Sequence, residues 1–365
     1  MTERARAAAL LRGETPDRVP WFGDLSYWYP YAMDKGVIGP QYAGDGLFRL
    51  HRDLGVGFYL QGYFPFREEC PGAECRVRRS GAEILTEWTT PVGTLRQAEV
   101  ALPASYTVAI REHMIKSAED LKIYAWMMER TRYRPDYEEA RRRYPLAGEN
   151  GAVLCYLPKS PYMDMVALKA GIVAVVDLIA DEGELFDDVM ALLEEKHDQA
   201  AEIALNSPAE WLMIPENISS EVVGKRPYAK YMRGYHQKWT GRIRGAGKVS
   251  FVHLDGTMRG LIGELSQSGF QVIEALTPAP VGDIPIEELH QWVEPATVLW
   301  GGLPGVYFTD LLSDAQFDEF VLRTLDQMAR APRYVLGVAD QVPPGSRPER
   351  IARVRELVNR NGKYR

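Results

Sequence analysis

Cysteine is scarce in this chain: Cys70, Cys75 and Cys155 are the three among 365 residues. Three thiols cannot build a disulfide framework, so a reduced, cytoplasmic setting is expected. Cys70 and Cys75 would supply half of a structural zinc site, and no second pair completes it. No apolar run approaches the roughly 20 residues that cross a bilayer. The opening MTERARAAALLRG is a short charged amphipathic helix without a long apolar core behind it, so neither a membrane span nor a signal peptide is expected. Positive charge is also short. With 43 Lys and Arg against 50 Asp and Glu, the net charge of −7 offers no basic field, which argues against nucleic acid and membrane surfaces as partners. Several motifs are missing too. There is no Walker A loop, and Gly245-Ala246-Gly247 joins a helix to a strand, the reverse of the dinucleotide fingerprint. No G-x-S-x-G marks a serine hydrolase.

What is present is an ordinary globular composition, 46% hydrophobic and 25% charged. Its length suits two domains or one α/β barrel with insertions. The most informative stretch runs over residues 248–283. The β-prone run Val249–Val252 ends on His253-Leu254-Asp255-Gly256, and Met258, Leu261, Ile262 and Leu265 follow at helical spacing up to the stop at Gly269. A second run, Val272-Ile273, then ends on Glu274 and breaks at Pro278 and Pro280. This is a βαβ unit with polar side chains at both strand exits, where α/β folds open to ligands.

The same alternation extends along the chain. Strands are expected over 17–22, 54–60, 152–157, 211–215, 249–253, 272–274, 297–300 and 333–336, with helices between them. Eight strands alternating with helices predict an α/β (β/α)8 TIM barrel, a single domain over 1–365 with an N-terminal helical extension; a miscounted strand leaves a doubly wound sheet as the alternative. Alternation over 75–102, with turns at Ser80-Gly81 and Pro91-Val92-Gly93, predicts a small antiparallel β-hairpin insertion.

The segments LLRGETPDRVP, IKSAEDL, HLDG, IEALTPAPVGD, VLWGGLPG and VLGVADQVPPGSRPERI, in this order and spacing, resemble the uroporphyrinogen decarboxylase superfamily over almost the whole chain. The resemblance implies a (β/α)8 barrel. It also implies one of several reactions, since the superfamily holds true decarboxylases, cobamide-linked methyltransferases and, more distantly, cobalamin-independent methionine synthase. True decarboxylases carry an arginine-rich loop after the first strand and an aspartate at the exit of the second. Here those positions read GDLSYWYPYAMD and Gln61-Gly62-Tyr63. A substrate with many carboxylates needs a cationic cleft to offset their desolvation, so uroporphyrinogen is not expected as substrate.

The methyltransferase branch is the better likeness. Its thiol-using members have a His-x-Cys at the fifth exit, a glutamate in some members at the next and a cysteine near the last, together holding zinc. The matching positions here are His253, Asp255, Glu274 and Asp340, without either cysteine. The resemblance therefore implies a site in which His253, Asp255 and Glu274 are catalytic and, with Asp340, form a ligand set for zinc made of imidazole and carboxylates, a harder Lewis acid than one with thiolate ligands. Asp255 reads equally as a helix cap. Asp24, Tyr27, Trp28, Gln61, Tyr63, Glu216, Asn217 and Arg259 are candidates for substrate binding at the other strand exits; Trp28 and Tyr63 read equally as core. The expected function is a methyltransferase component that takes a methyl group from a small substrate and passes it to a separate corrinoid protein. The alternatives are a lyase decarboxylating a small acid, with Arg259 or Arg12 pairing its carboxylate, and a non-catalytic binding barrel.

Overall fold

A computed structural model describes residues 1–59 and 63–365. The chain opens with a helix, Glu3–Leu11, started by the Thr2 hydroxyl, which accepts from the Ala5 amide at 3.1 Å. Its buried Glu3 accepts from the Trp21 amide and pairs with Arg6 and Arg355, which ties the helix to the first strand and to the C-terminal helix Pro348–Asn361.

Fifteen strands follow in chain order: β1 (Trp21–Phe22), β2 (Phe58–Tyr59), β3 (Phe66–Glu69), β4 (Glu74–Ser80), β5 (Glu83–Thr90), β6 (Gly93–Leu102), β7 (Thr107–Glu112), β8 (Arg132–Pro135), β9 (Gly151–Ala152), β10 (Leu154–Tyr156), β11 (Trp211–Ile218), β12 (Val249–Leu254), β13 (Val272–Leu276), β14 (Val298–Pro304) and β15 (Tyr334–Ala339). Seven of them form one curled parallel sheet in the order β1-β15-β14-β13-β12-β11-β10, as a TIM-barrel-like α/β fold requires. β2 pairs in parallel with β9, which leads into β10 through Val153 alone, and a parallel bridge joins Phe22 to Gly57 just before β2.

Phe22, Tyr59, Trp211, Phe251 and Trp300 point from β1, β2, β11, β12 and β14 into one buried aromatic layer, with Phe22 and Trp300 at 4.9 Å and Tyr59 and Trp300 at 5.2 Å between ring centroids. This layer fills the space that the strands enclose, as side chains do in a packed barrel.

Several strand boundaries differ from the sequence expectation. The last two strands run four and three residues further, to Pro304 and Ala339, so Asp340 directly follows a strand rather than lying out on a loop. The expected helix from residue 258 shortens to Ile262–Gln267. The antiparallel region starts at Glu74 and adds β7, giving a four-stranded sheet β4-β5-β6-β7 in place of a hairpin over 75–102, and β3 pairs antiparallel with β8. Two of the helices between strands contain a π-helical turn, at Met165–Lys169 and Tyr228–Met232.

Candidate active site

His253 on β12 and Glu274 on β13 are register partners, so their side chains leave neighbouring parallel strands on the same face. His253 Nδ1 lies 2.7 Å from Glu274 Oε2, and the Tyr59 hydroxyl donates to Glu274 Oε1 at 2.8 Å. Both carboxylate oxygens of Glu274 are thus held, one by Tyr59 of the aromatic layer. On the other side of the ring, Asp340 Oδ1 is 3.5 Å from His253 Nε2. Glu274 is fully buried, His253 nearly so, and the Asp340 carboxylate is 34% exposed. The trio therefore has a dry end and a wet end.

Asp24, just beyond β1, fixes the position of Asp340. It is buried and accepts from the Ser26 amide and from Gln341 Nε2, each at 2.7 Å, while its own carbonyl takes the Val342 amide at 3.0 Å. The turn that carries Asp340 is clamped at residues 341 and 342.

Burial disfavours a charged imidazole, but the attraction of Glu274 and Asp340, the hydrogen bond that the ring donates to Glu274 and the charge of Asp255 outweigh it, and His253 is pushed up to about 9. Burial, followed by repulsion from Glu274 and Asp24, outweighs the nearby imidazolium for Asp340, which is pushed up to about 7. Asp24 is also raised, by burial, with its hydrogen bonds to Ser26 and Gln341 opposing. Near neutral pH the cluster thus holds an imidazolium and a carboxyl poised to gain or lose a proton, groups suited to acid-base chemistry.

The other sequence candidates lie in different surroundings. Asp255 is exposed at the rim of the cluster. It caps no helix; the amides of Met258 and Arg259 are taken by Asp283, at 2.8 and 3.0 Å, which reaches back from a later loop. Arg259 is occupied elsewhere, donating to the Asp283 carbonyl at 2.8 Å and lying over the Trp292 ring at 5.0 Å. Trp28 and Tyr63 are core residues, with Trp28 Nε1 donating to the Ser346 carbonyl and the Tyr63 hydroxyl to the Asp136 carbonyl, and Tyr27 is half-buried. Gln61 lies outside the described residues. Glu216 is fully buried, accepting from the Ser160 amide at 2.9 Å and sitting 2.7 Å from His236 Nε2, while its neighbour Asn217 meets Lys159 at 3.4 Å. Tyr59, Ser26 and Gln341 are the members that sequence reasoning missed. Tyr59 reads as one more apolar strand residue, and only strand register reveals that its hydroxyl faces Glu274.

Among the described residues, no three His, Cys, Asp or Glu side chains are spaced to hold a metal ion. With Glu274 on Nδ1, His253 Nε2 and one Asp340 oxygen are the two donors left facing each other, short of the four that zinc takes. As placed, the side chains do not fit a resident ion.

A methyltransferase from Methanosarcina mazei has the same fold, with a TM-score of 0.62 over 99% of each chain at 12% identity. No curated protein matches. Residues 159–361, which carry β11 to β15 and with them His253, Glu274 and Asp340, match the family Uroporphyrinogen decarboxylase (URO-D), so the chain belongs to that family.

Proposed function

We propose that this protein is a methyltransferase component that binds a small methylated substrate at the strand exits and passes its methyl group to a separate corrinoid protein. The observation that carries the reading is the Glu274–His253–Asp340 series, a buried acid aimed at the open end of the sheet. The fold shared with a methyltransferase and the membership of the URO-D family agree with it. We further infer that the whole chain forms one closed (β/α)8 barrel, with β4 to β7 inserted; the Phe22–Gly57 bridge and the β2–β9 pair support closure.

When a methyl group leaves an oxygen or nitrogen, that atom keeps the bonding pair and takes up a proton. His253 is placed to supply it from Nε2. Glu274 holds the other ring nitrogen and stabilises the charged form, and Asp340 orients the donor and restores its proton from solvent. The corrinoid carried by the partner would supply the methyl acceptor.

A second reading is decarboxylation of a small acid, favoured by the family and by the same proton donor, since a carbanion left by loss of CO2 needs a proton. Incubation of the purified protein with reduced cobalamin and a panel of methyl ethers and methylamines tests the main reading. Methylcobalamin is expected, abolished in His253→Asn. CO2 release from small carboxylic acids without cobalamin methylation would establish the lyase instead.

A further inference from the structure

A cavity of about 220 Å3 opens away from the His253 cluster, between the exit of β10, the β3–β8 pair and the helix Ala118–Arg130. One wall is aromatic: Phe66 packs edge-on to Tyr133 at 5.4 Å and lies 5.5 Å from Phe64, and Tyr124 closes the inner side. Phe64 is 42% exposed at the mouth, with Tyr156 edge-on to its ring at 5.2 Å. Lys159 and Lys169 both line the space and are half-buried.

The charges in the cavity are unevenly matched. Asp164 is buried and already served, by the Tyr124 hydroxyl at 3.4 Å and by His197 Nε2 at 4.0 Å. Glu68 stands exposed on β3, where water solvates it. The lysines have neutral partners: Lys159 donates to the Pro215 carbonyl and to Asn217 Oδ1, and Lys169 lies 5.9 Å from the Tyr124 ring centroid. Glu216 and Asp164 attract Lys159 only through space; a half-buried ammonium without a carboxylate in contact is costly, and an incoming anion offsets that cost. Lys169 also belongs to the π-helical turn Met165–Lys169, a local distortion that recurs at functional sites.

We propose that this cavity binds a small aromatic anion, its ring against Phe64, Phe66 and Tyr133 and its carboxylate between Lys159 and Lys169. The size agrees, since a cavity of about 150 Å3 takes a benzene ring, which leaves space here for one ring and one carboxylate. Lys159 also holds the end of β11, which flanks the His253 strand, so an anion drawn to Lys159 lies two strands from the acid cluster. The inference does not depend on the methyl-transfer reading.

Benzoate and benzylamine, equal in shape and opposite in charge, are the probes. Ligand-observed NMR and calorimetry on the full chain are expected to show saturable 1:1 binding of benzoate and much weaker binding of benzylamine. Lys169→Gln, at a half-exposed position, and Lys159→Gln should each lower benzoate affinity about tenfold, the scale of one hydrogen bond to a charged group. His253→Asn should leave it unchanged. Equal or tighter binding of benzylamine, no saturable benzoate binding at millimolar concentration, unchanged affinity in Lys169→Gln, or loss of binding in His253→Asn would each overturn the proposal.

Discussion

At the scale of single residues, the cluster is organised by which groups hold protons. His253 rises from an ordinary 6.5 to about 9 on folding. A raised base stabilises the fold fully below about pH 6.5, and that contribution is lost as pH rises through 9. Chemical denaturation at pH 6 and pH 10 should therefore show the second condition weaker, by on the order of 3 kcal/mol from this group alone, and His253→Asn should flatten the difference. Asp340 adds to the same trend over a lower window, from its ordinary carboxylate range up to about 7, because ionising it beside Glu274 and Asp24 is unfavourable in the folded state. For turnover, His253→Asn is expected to lower kcat by roughly 100-fold or more, the contribution of a placed general acid. Tyr59→Phe should cost less, since Glu274 keeps its contact with His253 and loses one hydrogen bond. Zinc content checks the misfit of the imidazole–carboxylate set: sub-stoichiometric metal in an active protein is expected, and about one ion per chain, lost in His253→Asn, would overturn it.

At the scale of elements, the strand exits are shaped by two irregularities. The register of β11 against β12 shifts between Ile214 and Ile218, and that of β13 against β14 between Ile273 and Leu276. Each shift contains a non-glycine residue at positive φ, Asn217 at 51° and Ala275 at 63°, directly after a buried glutamate. Such bulges re-aim side chains beside functional sites; here the residue after Glu216 turns outward to meet Lys159, while Glu274 stays inside. Gly301 on β14 makes the second shift possible. It has φ +143°, and a Cβ there would stand 2.6 Å from both the amide nitrogen and the carbonyl oxygen of Leu276. Gly301→Ala should destabilise by roughly 2–4 kcal/mol, combining unfavourable φ with overpacking, and should displace Glu274 enough to depress activity as well; thermal unfolding and kcat measured together check this. The eight-strand alternation was legible because parallel strands buried on both faces read as short apolar runs between helices. Their lengths were not, since Gly301, Gly302, Leu303 and Pro304 carry turn-like composition and stay extended because all four pair with β15, Gly301 with β13 as well.

At the scale of the whole molecule, the aromatic layer of Phe22, Tyr59, Trp211, Phe251 and Trp300 closes the sheet interior just beneath Glu274. A porphyrinogen would need both a wide bowl and a set of cations, and the first loop, GDLSYWYPYAMD, supplies no arginine. Purified protein is therefore expected to form no coproporphyrinogen from uroporphyrinogen, measured by porphyrin fluorescence after oxidation; measurable product would refute the substrate assignment. No helix among the described residues is long and apolar enough to cross a membrane, in keeping with the absence of long apolar runs. By itself the sequence determined the α/β class, the family and the pair His253 and Glu274, because periodicity, strand-end polarity and short motifs are all local properties of the chain. Only the tertiary structure decided that Tyr59 and Asp24 belong with that pair, that Trp28 and Tyr63 are core, and that Glu216 turns from β11 to the buried His236. Those outcomes depend on register between strands far apart in sequence, and a one-residue difference in register sends a side chain to the opposite face.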